Sequence, residues 1–185
     1  ATVTAAADAR CLVISGSMPD GVEPSIVADL VEAVGETKVL VDTSGPALAA
    51  ALQSGAHLVK PSARELALVI GRTLDTEADV TEAAVEVHRA SAIDVLVASI
   101  GPGGAIVVDG HGVHRLRAPS VQVRSTVGAG DSMVAGMAVG LQRGLSAAQA
   151  TALGVAAGTA AVLTDGTGLC HPDDVERLLT SVAVG

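Results

Sequence analysis

The segment QVRSTVGAGDSMVAGMAVGLQRG, residues 122–144, joins a polar, glycine-rich loop to an apolar helix. Its one acid, Asp131, lies at the junction and directly follows Gly128, Ala129 and Gly130. Glycines let the backbone approach a ligand closely, and the unpaired amides at the start of a helix attract anions. Asp131 is therefore either an acid favoured by the helix dipole or a base that takes a proton from a hydroxyl attacking a bound phosphate. The residues of this segment alone leave both interpretations open.

The composition indicates one folded domain with an aliphatic core. The chain has 185 residues, of which 49% are hydrophobic and 17% are charged, and it contains no Phe, Tyr or Trp. Without aromatic side chains it has no stacking platform for single-stranded nucleic acid. The net charge of −9 also disfavours a nucleic-acid or anionic-membrane surface, although helix N-termini can still bind phosphate in an acidic protein.

Several features predict a cytoplasmic protein. Cys11 and Cys170 are too few for a disulfide framework, so we expect two free thiols. The opening segment ATVTAAADAR lacks the basic start and the long apolar core of a secretory signal. The apolar tract at residues 147–163 contains Thr and Gly residues, which is typical of a packed helix rather than a membrane span. The five histidines do not have the spacing of a zinc site.

Apolar runs and turn signals predict strands that alternate with helices. Strands are expected at residues 11–15, 38–42, 57–60 and 94–99, and a hairpin is expected around residues 110–112. Helices are predicted between the strands, and a last helix is predicted from the HPDD segment to the chain end. Continuous apolar strands that alternate with helices indicate an α/β fold with a mostly parallel sheet.

Polar or glycine-rich clusters follow four of these strands: GSMPDG, DTSG, KPS and SIGPGG. Because ligands bind at the carboxyl ends of strands in such sheets, we expect the clusters to converge on one crevice that Asp131 also faces. Each cluster has a plainer interpretation as well. Ser17 and SIGPGG are compatible with ordinary turns, and Glu65 completes a capping box with Ser62.

The segment STVGAGDSMVAG resembles the signature of the ribokinase-like (PfkB) carbohydrate kinases, most of all their phosphofructokinase branch. Five further segments resemble that family in the family's order: LVISGSMPDGV, VDTSGPAL, LVKPSAREL, SIGPGGA and GVAAGTAAVLTDGTGLC. The resemblance implies a three-layer α-β-α ribokinase-like fold with a mostly parallel sheet. It also implies that residues 1–185 are the C-terminal part of a single kinase domain whose N-terminal part and β-lid are missing from this chain.

The resemblance implies a role for each matching residue. Asp131 is implied to be the catalytic base, and Gly128, Ala129 and Gly130 form the anion hole for the transferring phosphoryl group. Further implied contacts are with the nucleotide (Lys60, Ser62, Ser99, Gly101, Gly104), the sugar phosphate (Ser17, Asp131), Mg²⁺ through water (Glu65), and a monovalent cation through carbonyl groups (Ser125, Val127, Ala161, Gly166, Gly168).

The implied reaction is ATP- and Mg²⁺-dependent phosphorylation of fructose 6-phosphate to fructose 1,6-bisphosphate, with K⁺ as the expected monovalent cation. The alternatives are a 1-phosphofructokinase, a tagatose-6-phosphate kinase, or a nucleotide-binding module without catalysis. Members of the family commonly pair through the lid, so a homodimer of the longer protein is expected, with no nucleic-acid or membrane partner.

The chain departs from the family pattern in two ways. Ser62 replaces the family Asn, and Thr164 and Gly168 lie where the closest branch often has Asn and Arg, so side-chain contacts at these positions change. Family members also carry a further segment before the first strand, which holds the sugar-binding motifs and the lid. We therefore expect this chain to expose a strand edge and an apolar surface.

Overall fold

The computed structural model describes residues 9–185; residues 1–8, and with them most of the opening segment ATVTAAADAR, lie outside the described residues. The described chain forms two compact units. The first unit contains residues 9–99 and 108–113, and the second contains residues 100–107 and 114–185. Within residues 9–185 we find no helix with the length and hydrophobicity needed to cross a membrane.

The first unit alternates strands and helices, as the sequence predicts. Its elements are β1 (Cys11–Ser15), α1 (Ile26–Ala33), β2 (Lys38–Asp42), α2 (Gly45–Leu52), β3 (Leu58–Val59), α3 (Ala63–Ile70), α4 (Glu77–Ala90) and β4 (Val95–Ser99). The pairings β1–β2, β2–β3 and β3–β4 are all parallel. The predicted strand at residues 57–60 shortens to two residues, and α1 begins two residues after Pro24.

The strands of the first unit differ in burial. The apolar residues of β2, β3 and β4 are almost completely buried, as expected for strands that are covered on both sides. Strand β1 is only half-buried, and Val13 at its centre is 40% exposed. The expectation of an exposed strand edge and apolar surface stays a prediction.

The second unit contains the remaining elements. These are a 3₁₀ turn (Gly101–Gly103), α5 (Ala129–Gln142), α6 (Ala147–Ala161), α7 (Pro172–Leu179) and β7 (Ala183–Val184). Strands β5 (Ala105–Asp109) and β6 (Gly112–Arg117) are each divided between the two units. The turn that joins them is the predicted one, and it is closed by a hydrogen bond from the His111 amide to Asp109 Oδ1 at 2.8 Å.

The prediction that the last helix continues to the chain end is wrong. Helix α7 ends at Leu179, and the chain then forms β7, which pairs antiparallel with β6. The amides and carbonyls of Arg115 and Gly185 exchange hydrogen bonds at 2.8 and 2.9 Å. The short SVAV segment contains two β-branched residues and thus favours a strand over another helical turn, a signal that the earlier apolar spacing of α7 masks.

Helices α5 and α6 pack against each other through glycines. A Cβ atom on Gly136 of α5 would lie 2.8 Å from the Gly154 Cα and 2.9 Å from the Leu153 carbonyl oxygen of α6. A Cβ atom on Gly154 would lie 2.7 Å from the Met133 carbonyl oxygen. These distances are shorter than side chains tolerate, so the two backbones approach each other only because these positions are glycine.

We predict that Gly136→Ala destabilises the protein by about 2–3 kcal/mol, because the added methyl group meets backbone atoms that cannot move aside as a side chain can. The matched control is Gly130→Ala on the same helix, where a Cβ atom would have no neighbour within 4 Å. The free energy of unfolding from urea titration measures both effects. Equal stability of the two variants would contradict the packing argument.

Candidate active site

A buried ion pair joins two neighbouring strand ends in the first unit. Lys60 Nζ lies 3.0 Å from Asp42 Oδ1, and the Lys60 residue is only 5% exposed. The register pairs Val41 of β2 with Val59 of β3, so Asp42 and Lys60 follow at corresponding positions. A buried ammonium group needs such a partner, because burial of an unpaired charge is costly. The structure thus fixes Lys60, a predicted nucleotide contact, at the carboxyl end of the strands.

Asp42 is the partner of a predicted site residue, and it is not among the residues that the sequence predicts for the site. The segment DTSG was recognised only as a polar cluster after a strand. A signal was available: Asp42 and Lys60 are the first charged residues after consecutive apolar runs, and consecutive strands are usually neighbours in a parallel sheet. That adjacency would have predicted a charge pair between them.

Ser62 and Glu65 form the predicted capping box at the start of α3. The Glu65 carboxylate oxygen Oε2 accepts hydrogen bonds from the Ser62 amide at 2.7 Å and from the Ser62 hydroxyl at 2.8 Å, and the Glu65 amide donates to Ser62 Oγ at 3.2 Å. The capping function of Glu65 is therefore confirmed. Mg²⁺ usually keeps several water ligands and uses only one or two carboxylates. The capping role of Glu65 is therefore compatible with the predicted contact to Mg²⁺ through water.

Two further predicted residues lie at strand ends of the first unit. Ser99 ends β4, and its amide donates to the Pro61 carbonyl at 2.9 Å, which holds it beside Ser62. Ser17 is exposed and follows Gly16, whose amide donates to the Asp42 carbonyl at 2.9 Å. Lys60, Ser62, Glu65 and Ser99 are thus brought together, and Ser17 lies at the end of the strand that neighbours β2.

The SIGPGG loop folds as a tight turn in the second unit. The Ile100 amide donates to the Gly104 carbonyl at 2.9 Å, and Gly101 and Gly104 have φ values of 54° and 99°. A Cβ atom on Gly104 would lie 2.0 Å from the Leu116 carbonyl oxygen, whereas one on Gly101 would meet nothing within 4 Å. Gly104 is therefore required by packing, while the space beside Gly101 is open to a ligand.

The first turn of α5 leaves its amides available. Gly128 has a left-handed conformation, with φ of 77°, and no side chain caps the helix. Within residues 9–185 the Gly130 and Asp131 amides have no hydrogen-bond acceptor, and the Asp131 carboxylate is exposed and has no hydrogen-bond or ion-pair partner. This contrasts with α3, α4 and α6, whose first turns are closed by capping boxes. The arrangement offers two donors to an anion, with a carboxylate beside them.

The loop before α5 is tied to the loop after α6. The Ser125 hydroxyl donates to the Gly166 carbonyl at 2.7 Å, and the Arg124 amide donates to the Val162 carbonyl at 2.8 Å. The Thr164 hydroxyl lies 2.8 Å from the carbonyl oxygens of both Ala161 and Gly168. The predicted cation ligands Ser125, Val127, Ala161, Gly166 and Gly168 therefore belong to one connected pair of loops. Each carbonyl oxygen that accepts one hydrogen bond retains a second lone pair for a cation.

The two cysteines are free. Burial raises the pKa of the Cys11 thiol, although the nearby Lys38 partly opposes this effect. A raised pKa reduces the thiolate fraction at neutral pH, so Cys11 is a poor nucleophile. Among residues 9–185 no three His, Cys, Asp or Glu side chains form a group that could hold a metal ion.

The described site residues fall into two groups, one in each unit. The first group contains Asp42, Lys60, Ser62, Glu65 and Ser99, and the second contains Gly101, Gly104, the first turn of α5 and its two supporting loops. Each group presents ligand-binding chemistry of its own. The expectation that both groups meet in one crevice stays a prediction.

Comparisons with known proteins define the class. The profile of the pfkB family carbohydrate kinases matches residues 2–174. The chain belongs to the pfkB family of carbohydrate kinases.

Individual relatives agree with this assignment. The ATP-dependent 6-phosphofructokinase isozyme 2 of Escherichia coli is 42% identical over 90% of this chain and 55% of its own length. A 1-phosphofructokinase of Haloferax volcanii is 39% identical over 92% of this chain and 54% of its own length. The crystal structure of E. coli phosphofructokinase-2 in complex with potassium has a TM-score of 0.86 at 41% identity, covering 92% of this chain and 56% of that one.

These comparisons confirm the ribokinase-like α/β fold predicted from the sequence. The chain spans about half the length of the curated relatives it matches. The individual site residues are not tested by these likenesses, and their catalytic roles stay predictions.

We predict that Asp42→Asn costs about 3 kcal/mol of stability, because it leaves the buried Lys60 ammonium without its charged partner. The control is Arg72→Gln, which removes the exposed ion pair between Arg72 Nη2 and Glu86 Oε2 at 3.0 Å. That exposed pair is worth less than about 1 kcal/mol. Urea unfolding of both variants gives the two free energies, and a loss for Asp42→Asn no larger than for Arg72→Gln would refute the role of the buried pair.

Proposed function

We propose that the protein carrying this chain transfers a phosphoryl group from ATP to a hydroxyl of a sugar phosphate. The observation that carries the proposal is the first turn of α5, where two amides without acceptors in the described chain lie beside the exposed Asp131 carboxylate. Such amides stabilise phosphoryl oxygens, and an adjacent acid can accept the proton of the attacking hydroxyl. Family membership supports the same chemistry.

In the proposed mechanism, the predicted anion hole of Gly128, Ala129 and Gly130 receives the transferring group, and the Gly130 and Asp131 amides, which have no acceptor in the described chain, bind its oxygens. Gly128 supports this geometry because its left-handed conformation turns the chain into the helix without a side chain over the amides. The positive end of the α5 dipole adds to the attraction. The Asp131 carboxylate then orients the acceptor hydroxyl and takes its proton as the new P–O bond forms and the bond from the γ-phosphorus to the bridging oxygen breaks, which releases ADP.

The nucleotide is proposed to contact Lys60, Ser62, Ser99, Gly101 and Gly104. Lys60 supplies a fixed positive charge, although Asp42 neutralises part of it. The open space beside Gly101 allows a phosphate to approach the backbone, while Gly104 maintains the turn. Mg²⁺ bound with the nucleotide would neutralise phosphate charge, and Glu65 is the carboxylate proposed to hold its water ligands.

The preferred acceptor is fructose 6-phosphate, which would yield fructose 1,6-bisphosphate. The support is the likeness to 6-phosphofructokinase isozyme 2, which at 42% identity exceeds the 39% identity to the 1-phosphofructokinase. Fructose 1-phosphate and tagatose 6-phosphate are the alternative acceptors. Ser17 is proposed to contact the sugar phosphate together with Asp131.

The structural relatives suggest further properties. Since E. coli phosphofructokinase-2 is described in complex with potassium, we propose K⁺ as a ligand of the carbonyl groups in the two connected loops. Since a tetrameric inhibited form of that enzyme is also described, we propose that this protein is an oligomer, with a homodimer as its simplest form. We further propose a cytoplasmic location, with small molecules as the partners.

A second candidate function is a nucleotide-binding module without catalysis. The observation that favours it is the group Lys60, Ser62 and Ser99 in the first unit, whose nucleotide-binding chemistry does not require an acceptor. Nucleotide contacts would then be retained in the described units while the acceptor is left unbound.

We predict that Asp131→Asn lowers turnover by a factor of at least about 10³, because amide nitrogen cannot accept the hydroxyl proton. Nucleotide affinity should stay within about threefold, since the backbone amides are unchanged. A coupled assay with fructose 6-phosphate and MgATP measures turnover, and calorimetry measures nucleotide affinity. Wild-type turnover in the Asp131→Asn protein would refute the proposed base.

Gly130→Ala is a matched test of the anion hole. A methyl group at this position meets no protein atom within 4 Å, so stability should be kept, but the methyl group would obstruct a bound phosphoryl group. Loss of turnover without loss of stability supports the anion hole. Full turnover would identify this turn as an ordinary helix start.

We predict that wild-type protein binds MgATP in calorimetry, because both groups of site residues have nucleotide-binding chemistry. The same preparation in the coupled assay then separates the two candidate functions. Turnover of fructose 6-phosphate supports the kinase and excludes the module, whereas binding without turnover of any of the three sugar phosphates supports the module. Absence of MgATP binding would contradict both.

A further inference from the structure

The Ser125 hydroxyl makes contacts that the predicted role of this residue does not explain. The resemblance implies only a backbone carbonyl contact with a cation for Ser125, yet its hydroxyl makes two hydrogen bonds. It donates to the Gly166 carbonyl at 2.7 Å, and it accepts from the Val127 amide at 3.2 Å. A single hydroxyl therefore links two loops and also shapes the backbone that leads into α5.

The two hydrogen bonds of the Ser125 hydroxyl lie close in sequence to the amides that are proposed to bind the phosphoryl group. We name residues 125–130 the anion-binding turn and residues 162–168 the supporting loop. The Val127 amide is followed directly by Gly128, whose left-handed conformation sets the direction of the next amides. The Ala129 amide donates to the Thr126 carbonyl at 3.4 Å, a long and therefore weak hydrogen bond. The Ser132 amide holds the Gly128 carbonyl at 2.8 Å on the helix side, and the bond from the Val127 amide to Ser125 Oγ restrains the turn on the loop side.

The supporting loop is itself held in place. The Thr164 hydroxyl lies 2.8 Å from the carbonyl oxygens of both Ala161 and Gly168 and shares its one proton between them, so the loop is connected back to the end of α6. Gly158 of α6 also lies under α5, since a Cβ atom there would approach the Ala129 carbonyl oxygen at 3.0 Å. The Ser125 hydroxyl therefore joins the turn to a loop that is already anchored.

We propose that Ser125 is a positioning residue for phosphoryl transfer, whose hydroxyl couples the supporting loop to the anion-binding turn. The proposal rests on the proposed function for its effect on rate, but the coupling itself is a property of the fold. It also distinguishes Ser125 from Arg124, which connects the same loops through an exposed ion pair to Asp165 at 3.1 Å. Exposed pairs contribute little, whereas the half-buried hydroxyl satisfies two backbone groups.

The test compares Ser125→Ala, Ser125→Thr and the control Arg124→Gln in the protein as it is expressed. Ser125→Ala should lower kcat about tenfold and change the KM for MgATP by less than about twofold, because the turn is misoriented while the nucleotide contacts remain. Ser125→Thr retains a hydroxyl and should restore kcat to within about threefold of wild type. Arg124→Gln should stay within about twofold of wild type.

Hydrogen exchange of the backbone amides gives a readout that needs no turnover. In Ser125→Ala, exchange should accelerate in both residues 125–130 and residues 162–168, while β4 serves as the unaffected reference. Acceleration in both segments, reversed by Thr, supports the coupling. Acceleration in the turn alone, or in neither segment, overturns it.

The kcat values and the hydrogen exchange rates together distinguish a failure of the positioning role from a failure of the proposed function. If wild type turns over but Ser125→Ala retains full kcat, or if Thr fails to rescue kcat, the positioning role is wrong and the proposed function stands. If wild type shows no turnover, the proposed function fails, and hydrogen exchange alone decides whether the coupling exists.

Discussion

The close approach of α5 and α6 is the constraint on which the second unit depends. Gly136 and Gly154 bring the two backbones together at distances where any side chain would collide. This contact fixes how α5 lies against α6, while the left-handed Gly128 sets where α5 begins and where the Gly130 and Asp131 amides point. A glycine-lined helix contact that looks like simple core packing thus helps to set the geometry of the proposed chemistry. The hydrogen bonds of Ser125 and Thr164 add restraints from the loop before α5 and from the loop after the C-terminal end of α6.

In the first unit the main constraint is the burial of a charged side chain, the Lys60 ammonium group, among apolar strands. Lys60 is buried beside Val59 and Pro61, and only its pairing with Asp42 makes that position tolerable. The capping box of Ser62 and Glu65 lies just after Lys60 in the sequence. The short segment 60–65 therefore carries both a fixed positive charge and an oriented carboxylate. In this unit the groups that stabilise the fold are the same groups that are proposed to meet the nucleotide.

The sequence predicts the fold well because its signals are local and agree with one another. The strands at Lys38–Asp42 and Cys11–Ser15 and the cap at Ser62 are read directly from apolar runs and capping patterns. Strand β7 is missed because its pairing with β6 is a long-range contact that a four-residue segment cannot reveal. The Ser125–Gly166 link is missed for the same reason, since it depends on which loops become neighbours. The Asp42–Lys60 pair, in contrast, follows from the adjacency of consecutive strands and was within reach of the sequence. The roles of the site residues are implied by the resemblance to the family, whereas the ion pair and the hydrogen bonds between them are seen only in the structure.

Gly104 shows that packing alone can require a glycine in a loop that is also proposed to bind a ligand. Its missing side chain leaves room for the Leu116 carbonyl oxygen, which would otherwise sit 2.0 Å from a methyl group. A glycine is therefore needed there for folding, whatever ligand the loop binds. Gly130 is under no such steric demand, since open space surrounds it. Selection for folding alone would therefore keep a glycine at position 104, whereas at position 130 only the proposed binding of a phosphoryl group would keep one.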